Sequence, residues 1–411
     1  MVSELGTGSA GPSFRIGRPG QTTLLLQCGE LWLKHGVVNN RSSLSVWDDF
    51  PVHQVPEVVR HVGTSDRNFY DRYYFNLHAC DDSLFLILGM GQYPNLAVQD
   101  AFACATHAGA HHVVRASRVL GDRADLTVGP FRIEVQEGLK RLRAVLEPGD
   151  YSLAFNLQWL AHTPAYLEPR QFIRKYGRVL FDTQRFAQTG FWSGWLQIGD
   201  QRFRVTPDRW WGTRDRSWGV RPVGEPEHPG IRQNEGPLTG MWNYAPMQFS
   251  DHAILYMVNE TDDGDRPLQE AVRIWVDPNR EPEALGRPEH EHELVPGTRL
   301  VRRSRLRFPR APEGELVVEV APLLNAFVAV GTGYGMDPDW RHGMYQGPLV
   351  VQGLVRQLDE ITSFGQYGLI DQVARFTTNF GQVGYGLHEF GFWGPFRRYG
   401  LVDAFSGAAA T

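Results

Sequence analysis

Trp210-Trp-Gly-Thr-Arg-Asp-Arg-Ser-Trp-Gly-Val-Arg221 is the stretch that constrains this 411-residue chain most strongly. It brings three tryptophans, three arginines and one carboxylate together with two glycines. A buried indole needs an acceptor for its N–H group, and buried guanidinium and carboxylate groups need each other. A site that holds an apolar molecule and still carries out polar chemistry needs the same mixture. The stretch therefore indicates a functional site as well as a fold.

The segments around this stretch predict β-structure. Residues 191–206 form two aromatic-rich arms around Gly199-Asp200, which is typical of a two-residue hairpin turn of the mirror-image type. In residues 151–159 large apolar side chains alternate with small or polar ones, and residues 69–77 and 131–136 show the same period of two. Such alternation predicts strands that belong to a sheet with one buried face.

The composition also favours an all-β protein, because 12% of the residues are aromatic and 44 glycines and 26 prolines are spread along the chain. At this length two domains are expected. We predict an N-terminal arm over residues 1–45, a first β-domain over 46–222 and a second over 223–411. The boundary is placed in residues 224–240, which are rich in Pro, Gly and Glu and lack periodicity.

Helical spacing of apolar residues occurs near the C-terminus, within about 349–378. We expect a few helices there, and they could form a lid or the contact of a homodimer. The residues that carry this spacing are Val350, Leu354, Leu358, Ile361, Leu369, Val373 and Phe376. The apolar run within Thr22 to Val38 is compatible with either a strand or a short helix.

Charge and motifs exclude several classes of function. A net charge of −5 leaves no electrostatic footprint for nucleic acid. No apolar run approaches the ~20 residues that span a membrane, and the N-terminus lacks the pattern of a signal peptide. Cys28, Cys80 and Cys104 have no metal-ligand spacing and are expected to be reduced thiols of a cytoplasmic protein. No nucleophile elbow, phosphate loop or dinucleotide fingerprint is found, which disfavours elbow-type hydrolases, kinases and nicotinamide enzymes.

Two motifs together resemble a known superfamily. A hairpin followed by Gly212-Thr-Arg-Asp-Arg-Ser-Trp-Gly-Val-Arg221, and then a second β-rich half with Gly384-Tyr-Gly-x-x-Glu389, is similar to the carotenoid hydratase (hydroxyneurosporene synthase) superfamily. Kievitone hydratase-like proteins, terpenoid dehydratase-like proteins and fungal Diels–Alderase relatives belong to the same superfamily. The resemblance covers residues 66–393 and implies two lipocalin-like β-barrel domains. It also implies an apolar pocket in or between them, isoprenoid or polyketide substrates, and chemistry that mostly needs no cofactor. One position departs from the family motif, because Arg216 stands where a histidine is common, and an arginine cannot shuttle a proton.

Asp71 and Asp215 are the leading candidates for a catalytic carboxyl group. Asp71 lies in phase with the apolar side chains of its strand, where a carboxylate is costly unless it is paired or functional. Asp71 would be a general acid if this face lined a barrel, whereas a bulge in the strand would expose it. Asp215 would be an acid in a dry pocket. The alternative is that it locks a turn by bridging Arg214 and Arg216, which would keep it charged.

Glu389, His388 and Tyr244 complete the predicted catalytic set, with His388 and Glu389 expected to act as a base and its orienter. His388 could equally be a structural group. The tryptophans could stabilise a carbocation through their ring faces or pack in the core. The predicted substrate-binding residues are Trp210, Trp211, Trp218, Trp242, Tyr70, Tyr73, Tyr74, Arg214, Arg221 and Tyr256. His290 and His292 resemble metal ligands, but the acidic segment 280–296 indicates a solvated loop, so no metal site is predicted.

Two functions agree with these observations. The preferred one is a cofactor-independent hydratase/dehydratase, or a related cyclase, that acts on an apolar terpenoid-like substrate by acid/base chemistry in an aromatic-lined pocket. The alternative is a lipocalin-like carrier that binds a small apolar ligand without chemistry. An acidic side chain that faces the cavity would distinguish the enzyme from the carrier.

Overall fold

Strands make up most of the described chain, which confirms the all-β prediction. The structure is a computed structural model that describes residues 44–175, 177–228, 230 and 239–409. Most of the predicted N-terminal arm, the run from Thr22 to Val38 and Cys28 lie outside the described residues, as do positions 229 and 231–238 of the predicted boundary segment. Residues from Ser45 onward belong to one compact unit.

The larger of two antiparallel sheets is a nearly closed, barrel-like sheet of fourteen described strands. Strands are numbered in chain order. This first sheet contains β1 (Phe69–His78), β2 (Leu84–Tyr93), β3 (Val98–His107), β4 (Ala110–Val119), β5 (Thr127–Val128), β6 (Phe131–Glu137), β7 (Arg141–Leu146), β8 (Leu153–Ala161), β9 (Tyr166–Leu167), β10 (Gln171–Lys175), β11 (Arg178–Ile198), β12 (Gln201–Val205), β13 (Trp211–Val220) and β21 (Leu349–Gln357).

The second sheet is a half-barrel of nine described strands. Its strands are β14 (Gly240–Gln248), β15 (His252–Glu260), β16 (Leu268–Trp275), β17 (Glu283–Ala284), β18 (Glu289–Leu294), β19 (Val301–Phe308), β20 (Leu316–Ala326), β22 (Ile370–Thr378) and β23 (Val383–Trp393). The sheets follow the predicted ranges 46–222 and 223–411 except that β21 pairs with β4 in the first sheet. The division into two domains stays a prediction.

The quoted stretch forms β13, a central strand that pairs with β1 on one side and β11 on the other. The predicted hairpin is confirmed, since β11 and β12 pair through Ile198 and Gln201 around the turn at Gly199, which has a φ of 55°. Gly212 is required within β13, because a Cβ atom there would lie 2.0 Å from the backbone oxygen of Asn76. That close approach lets β13 pair tightly with β1.

Alternation along these strands produces three apolar layers. The interior of the first sheet is filled with rings, including Phe75, Trp159 and Trp192, whose centroids lie 5.1–6.0 Å apart. The interior of the second sheet contains buried residues such as Phe390. The third layer, which we call the inter-sheet layer, is formed where the outward face of the first sheet packs on the second, and Tyr74 and Tyr244 belong to it.

One prediction of secondary structure was confirmed only in part, and another was wrong. Of residues 349–378, Leu358–Gly365 form helix α1, the only α-helix in the described ranges, whereas the flanks are β21 and β22. The valines of these flanks suit strands, and each flank finds hydrogen-bonding partners in a sheet. The segment 280–296 is not a solvated loop either. It contains β18, where His290 and His292 are buried and glutamates alternate with them on the outer face. Short 3-10 helices occur at Val46–Asp49, Pro94–Leu96 and Arg397–Tyr399.

Within the described residues, no helix has both the length and the apolar character needed to cross a membrane.

Candidate active site

Carboxyl groups from both sheets meet in the inter-sheet layer. Asp215 on β13 lies directly opposite Tyr74 on β1. On the facing sheet, Glu389 on β23 lies opposite Asp371 on β22 and opposite Tyr244 on β14. Residues that are directly opposite in antiparallel strands project from the same face. The side chains of these five residues therefore point into one layer.

Asp371 and Glu389 form a pair of carboxyl groups within hydrogen-bonding reach of each other. Asp371 is 0% exposed and Glu389 is 9% exposed. Burial raises the pKa of both groups, and the charge of Glu389 raises that of Asp371 further. Two carboxyl groups this close cannot both be charged at low cost, so protonation of at least one of them is favoured.

Hydrogen-bond donors fix the orientation of this pair. The Tyr74 hydroxyl donates to Asp371 Oδ2 at 2.5 Å, and the Trp242 indole N–H donates to Glu389 Oε1 at 2.5 Å. The other oxygen of Asp371, Oδ1, is sealed from solvent, and no described residue donates to it. A proton held between the two carboxyl groups supplies the missing donor.

Glu168, which is buried, and Arg185, which is part-buried, form an ion pair beside the carboxyl pair. Arg185 Nε donates to Glu168 Oε2 at 2.5 Å, and the Tyr244 hydroxyl donates to Glu168 Oε1 at 3.1 Å. The Arg185 guanidinium also lies 4.5 Å from the ring centroid of Tyr244 and 5.4 Å from that of Trp242. Arg185 is therefore the cation that compensates the acidic groups here, and it holds the two aromatic rings in place.

Asp215 differs from the other carboxyl groups because its side chain makes no hydrogen bond to a described residue. It is only part-buried, and its oxygens are not among the sealed polar atoms without partners. Burial nevertheless raises its pKa to about 7, with Arg185 acting in the opposite direction. The Asp215 carboxyl group is therefore desolvated but retains some accessible surface. Arg185 and Trp242 are also part-buried.

Replacing Asp215 by asparagine is expected to stabilise the protein increasingly as the pH rises from about 4 to about 7. The folded-state pKa of Asp215, about 7, lies above its ordinary value of 3.8. The folded chain therefore holds the proton more tightly than the unfolded chain does. The cost of the buried charge appears between these two values and is constant above them.

The asparagine variant has no such charge, so its free energy of unfolding relative to the natural chain should rise across that window. The expected rise is up to about 4 kcal/mol, because the two pKa values differ by roughly three pH units. Urea unfolding of both proteins at several pH values measures this difference. The contributions of the other titrating groups are common to both proteins and therefore cancel. A difference that stays constant with pH would show that Asp215 is not desolvated.

Asp71 is placed elsewhere, on the interior face of the first sheet. It accepts hydrogen bonds from Arg216 and from Arg123, the latter at 3.1 Å, and its side chain is 19% exposed. Because guanidinium groups occupy both oxygens, Asp71 is suited to an anchor rather than a proton donor. Trp218 lies opposite Asp71 on this face, and Tyr73 lies opposite Arg216.

The expectation that Arg214 and Arg216 clamp Asp215 was wrong. Successive residues of a strand point to opposite faces, so both arginines project into the first sheet while Asp215 projects outward. Arg214 donates to the Gln188 side chain at 2.8 Å, and desolvation lowers its pKa to about 10.

The predicted pairing of His388 with Glu389 was wrong for the same reason. His388 points into the interior of the second sheet, where it is 0% exposed. Its Nε2 lies 2.9 Å from the amide nitrogen of Asn243 and its Nδ1 lies 2.9 Å from Gln372 Oε1. Because the amide of Asn243 must donate, Nε2 of His388 accepts, and the histidine is held neutral. Burial lowers its pKa to about 3, so it is a structural group.

The remaining predicted substrate-binding residues are dispersed. Trp210 packs in the interior of the first sheet and Tyr256 in that of the second. Neither contributes to the group formed by Asp215, Asp371 and Glu389, which we call the carboxyl site. Trp211 packs against Tyr385 across the inter-sheet layer, with ring centroids 5.9 Å apart. Tyr70 is buried in a separate small cluster, and the Arg221 guanidinium lies 4.4 Å from its ring centroid.

Sequence reasoning missed Asp371, Glu168 and Arg185. Asp371 falls in the segment that was predicted to be helical, and in a helix residues two positions apart, such as Asp371 and Val373, do not share a face. As a strand, the same segment places Asp371 and Val373 on one face, and that signal could have identified it. The sequence around Glu168 and Arg185 gave no sign of a site, because the importance of each residue depends on its ion pair with the other.

No group of three or more His, Cys, Asp or Glu side chains in the described part of the chain is arranged to hold a metal ion. Cys80 and Cys104 are free thiols.

Comparison with known structures shows a shared fold. This chain is similar to a provisionally named AttH protein from Nitrosomonas europaea, with a TM-score of 0.51 and 13% identity over 85% of this chain and 97% of that one. Kievitone hydratase from Nectria haematococca gives a TM-score of 0.48 and 12% identity over 81% of this chain and 93% of that one. CghA in complex with Sch210972 gives a TM-score of 0.45 and 12% identity over 79% of this chain and 89% of that one. The match to the Nitrosomonas europaea protein shows that the two chains share a fold.

Sequence comparison identifies the family. No curated protein sequence matches the chain significantly. A family model matches residues 44–402, which is most of the chain. The protein therefore belongs to DUF8625, a family of unknown function.

Proposed function

We propose that this protein is a hydratase/dehydratase, or a related cyclase, that acts on an apolar terpenoid-like substrate bound at the inter-sheet layer beside Asp215. The observation that carries the proposal is the pair Asp371–Glu389, which holds a proton in an apolar layer. The proposed reaction uses no cofactor.

The carboxyl pair is suited to act as the general acid. A carboxylic acid that stays neutral in an apolar environment keeps a proton that it can donate to a reacting oxygen or alkene carbon, whereas a charged carboxylate has none to donate. Tyr74 and Trp242 hold the pair from opposite sides. Reprotonation after each turnover is favourable, because burial penalises the doubly charged state.

Asp215 is suited to act as the base, since a carboxyl group with a pKa of about 7 is partly charged near neutral pH and still takes up a proton. In dehydration, the carboxyl pair protonates the substrate hydroxyl, and the C–O bond breaks with its electrons leaving as water. Asp215 then removes a proton from the neighbouring carbon, and those electrons form the double bond. Hydration is the reverse: protonated Asp215 gives its proton to the alkene carbon, and the deprotonated carboxyl pair takes a proton from the attacking water.

Positive charge that develops on the substrate carbon would be stabilised mainly by carboxylates. Arg185 already lies over the rings of Tyr244 and Trp242, so one face of each ring is occupied. The carboxyl groups of Glu168 and Asp215 lie close enough to interact electrostatically, and their negative charges would act on a substrate beside Asp215. In a layer of low dielectric, such fixed charges stabilise a cation more strongly than they would in water.

Incubation of the purified protein with monoterpene and sesquiterpene alcohols, and with the corresponding alkenes, tests the proposal. Gas chromatography with mass detection should show loss or gain of one water molecule, or an isomeric cyclised product. Tight binding of the same compounds without turnover would identify a carrier instead. Absence of both binding and turnover across the panel would refute a terpenoid-like substrate.

A further inference from the structure

Strands β19 and β20 separate partway along the second sheet. They are paired from Phe308 and Leu316 as far as Ser304 and Val320, and β20 then continues to Ala326 with only β22 as its partner. The register of β20 shifts between Pro322 and Leu324. Proline has no backbone N–H group to offer a neighbouring strand, so pairing with β19 does not resume there. The result is a seam in the sheet.

This seam contains a pocket of about 350 Å³. Leu324 and Phe327 line it from β20 and the residues that follow, and Leu358 and Thr362 line it from α1. Liquid water occupies about 30 Å³ per molecule, so the pocket has room for about ten to twelve non-hydrogen atoms. Most of its lining is apolar, as in pockets that hold small organic ligands.

One amide faces this pocket without a full set of hydrogen-bond partners. A chain of hydrogen bonds determines whether its free group is a donor or an acceptor. Asn243 donates to His388 Nε2, so His388 donates through Nδ1 to Gln372 Oε1 at 2.9 Å. The Gln372 amide nitrogen then donates to Asn325 Oδ1 at 2.7 Å and, beneath the seam, to the backbone oxygen of Val301 at 3.0 Å.

The same chain leaves Asn325 with a donor. Its Oδ1 is occupied by Gln372, and no described residue accepts from its Nδ2. Asn325 is part-buried and lines the pocket. A ligand that fills the pocket would therefore satisfy Nδ2 best with a hydrogen-bond acceptor.

We propose that the seam pocket is a second binding site, for a compact and mainly apolar molecule that carries one carbonyl group or similar acceptor. The site is separate from the carboxyl site. Strand β22 forms the wall between them, because Gln372 faces the pocket and the preceding residue, Asp371, faces the inter-sheet layer. The proposal does not depend on the reaction at the carboxyl site.

Camphor, a compact ketone of this size, is the probe, and camphene, which lacks the carbonyl group, is its matched control. Depletion of each compound from the headspace over the full-length protein measures binding. Thr362→Phe fills the pocket from α1, and Ser363→Phe adds the same ring on the exposed side of the helix. Thr362→Phe should weaken camphor binding by roughly tenfold or more, and Ser363→Phe should leave it within about twofold.

Asn325→Leu keeps the apolar lining but removes the donor, so it should reduce the preference for camphor over camphene by roughly fivefold to tenfold. Asp371→Asn should leave camphor binding unchanged, which separates this site from the carboxyl site. Equal effects of the two phenylalanine variants, an unchanged ligand preference in Asn325→Leu, or no binding of camphor would each overturn the proposal. None of these results bears on turnover at the carboxyl site.

Discussion

Replacing Asp371 by asparagine should lower the rate of dehydration or hydration by about 10²- to 10⁴-fold, which is the range expected when a general acid is removed. The amide cannot hold the proton that the Asp371–Glu389 pair shares. Its shape is nearly the same, and it can still accept the hydrogen bond from Tyr74. The loss should therefore appear in kcat, measured on the most reactive alcohol of the terpenoid panel.

Glu389→Gln should have an effect of similar size, and the double variant should lose little more than either single variant. Two groups that hold one proton act as a unit, so their effects on rate are far from additive. Asp208→Asn is the matched control, since it makes the same change at an exposed turn. If Asp371→Asn kept more than about half of the natural rate, the general acid would have to be another group.

Replacing Arg185 by methionine should lower the free energy of unfolding by about 3–5 kcal/mol, as expected when one partner of a buried ion pair is removed. Glu168 loses its hydrogen bond at 2.5 Å, and Asp215 loses the cation that favours its charged form. Methionine retains much of the packing against Tyr244 and Trp242, so the loss reports the missing charge. Urea unfolding at neutral pH measures it.

Combining Glu168→Gln with Arg185→Met should recover part of the loss, because the buried charge that was left unpaired is removed as well. Arg170→Met is the control: Arg170 forms an ion pair with Asp182 in the same sheet, but its side chain is 61% exposed, and little change is expected. A small effect of Arg185→Met, or a double variant less stable than either single one, would contradict this role for Arg185.

The carboxyl site was only partly predictable. Asp215, Glu389, Tyr244, Tyr74 and Trp242 were all selected from the sequence, and the structure places them in one layer. Their partners were misassigned, because neighbours in sequence were taken to be neighbours in space. Arg214 and His388 are adjacent to site residues along the chain and yet lie on the opposite faces of their strands.

Local sequence patterns were enough to predict strand β8, the hairpin at Gly199 and the position of Asp71 in phase with the apolar face of β1. These features depend on a period of two within one segment, and neighbouring residues suffice to specify it. Only the tertiary structure decided that Asp215 faces outward from one sheet towards Glu389 and Asp371 of the other. That contact joins strands more than a hundred and fifty residues apart. It depends on how two curved sheets pack, and no local sequence pattern records that packing. The burial and the shared proton that suit these carboxyl groups to acid catalysis depend on the same packing.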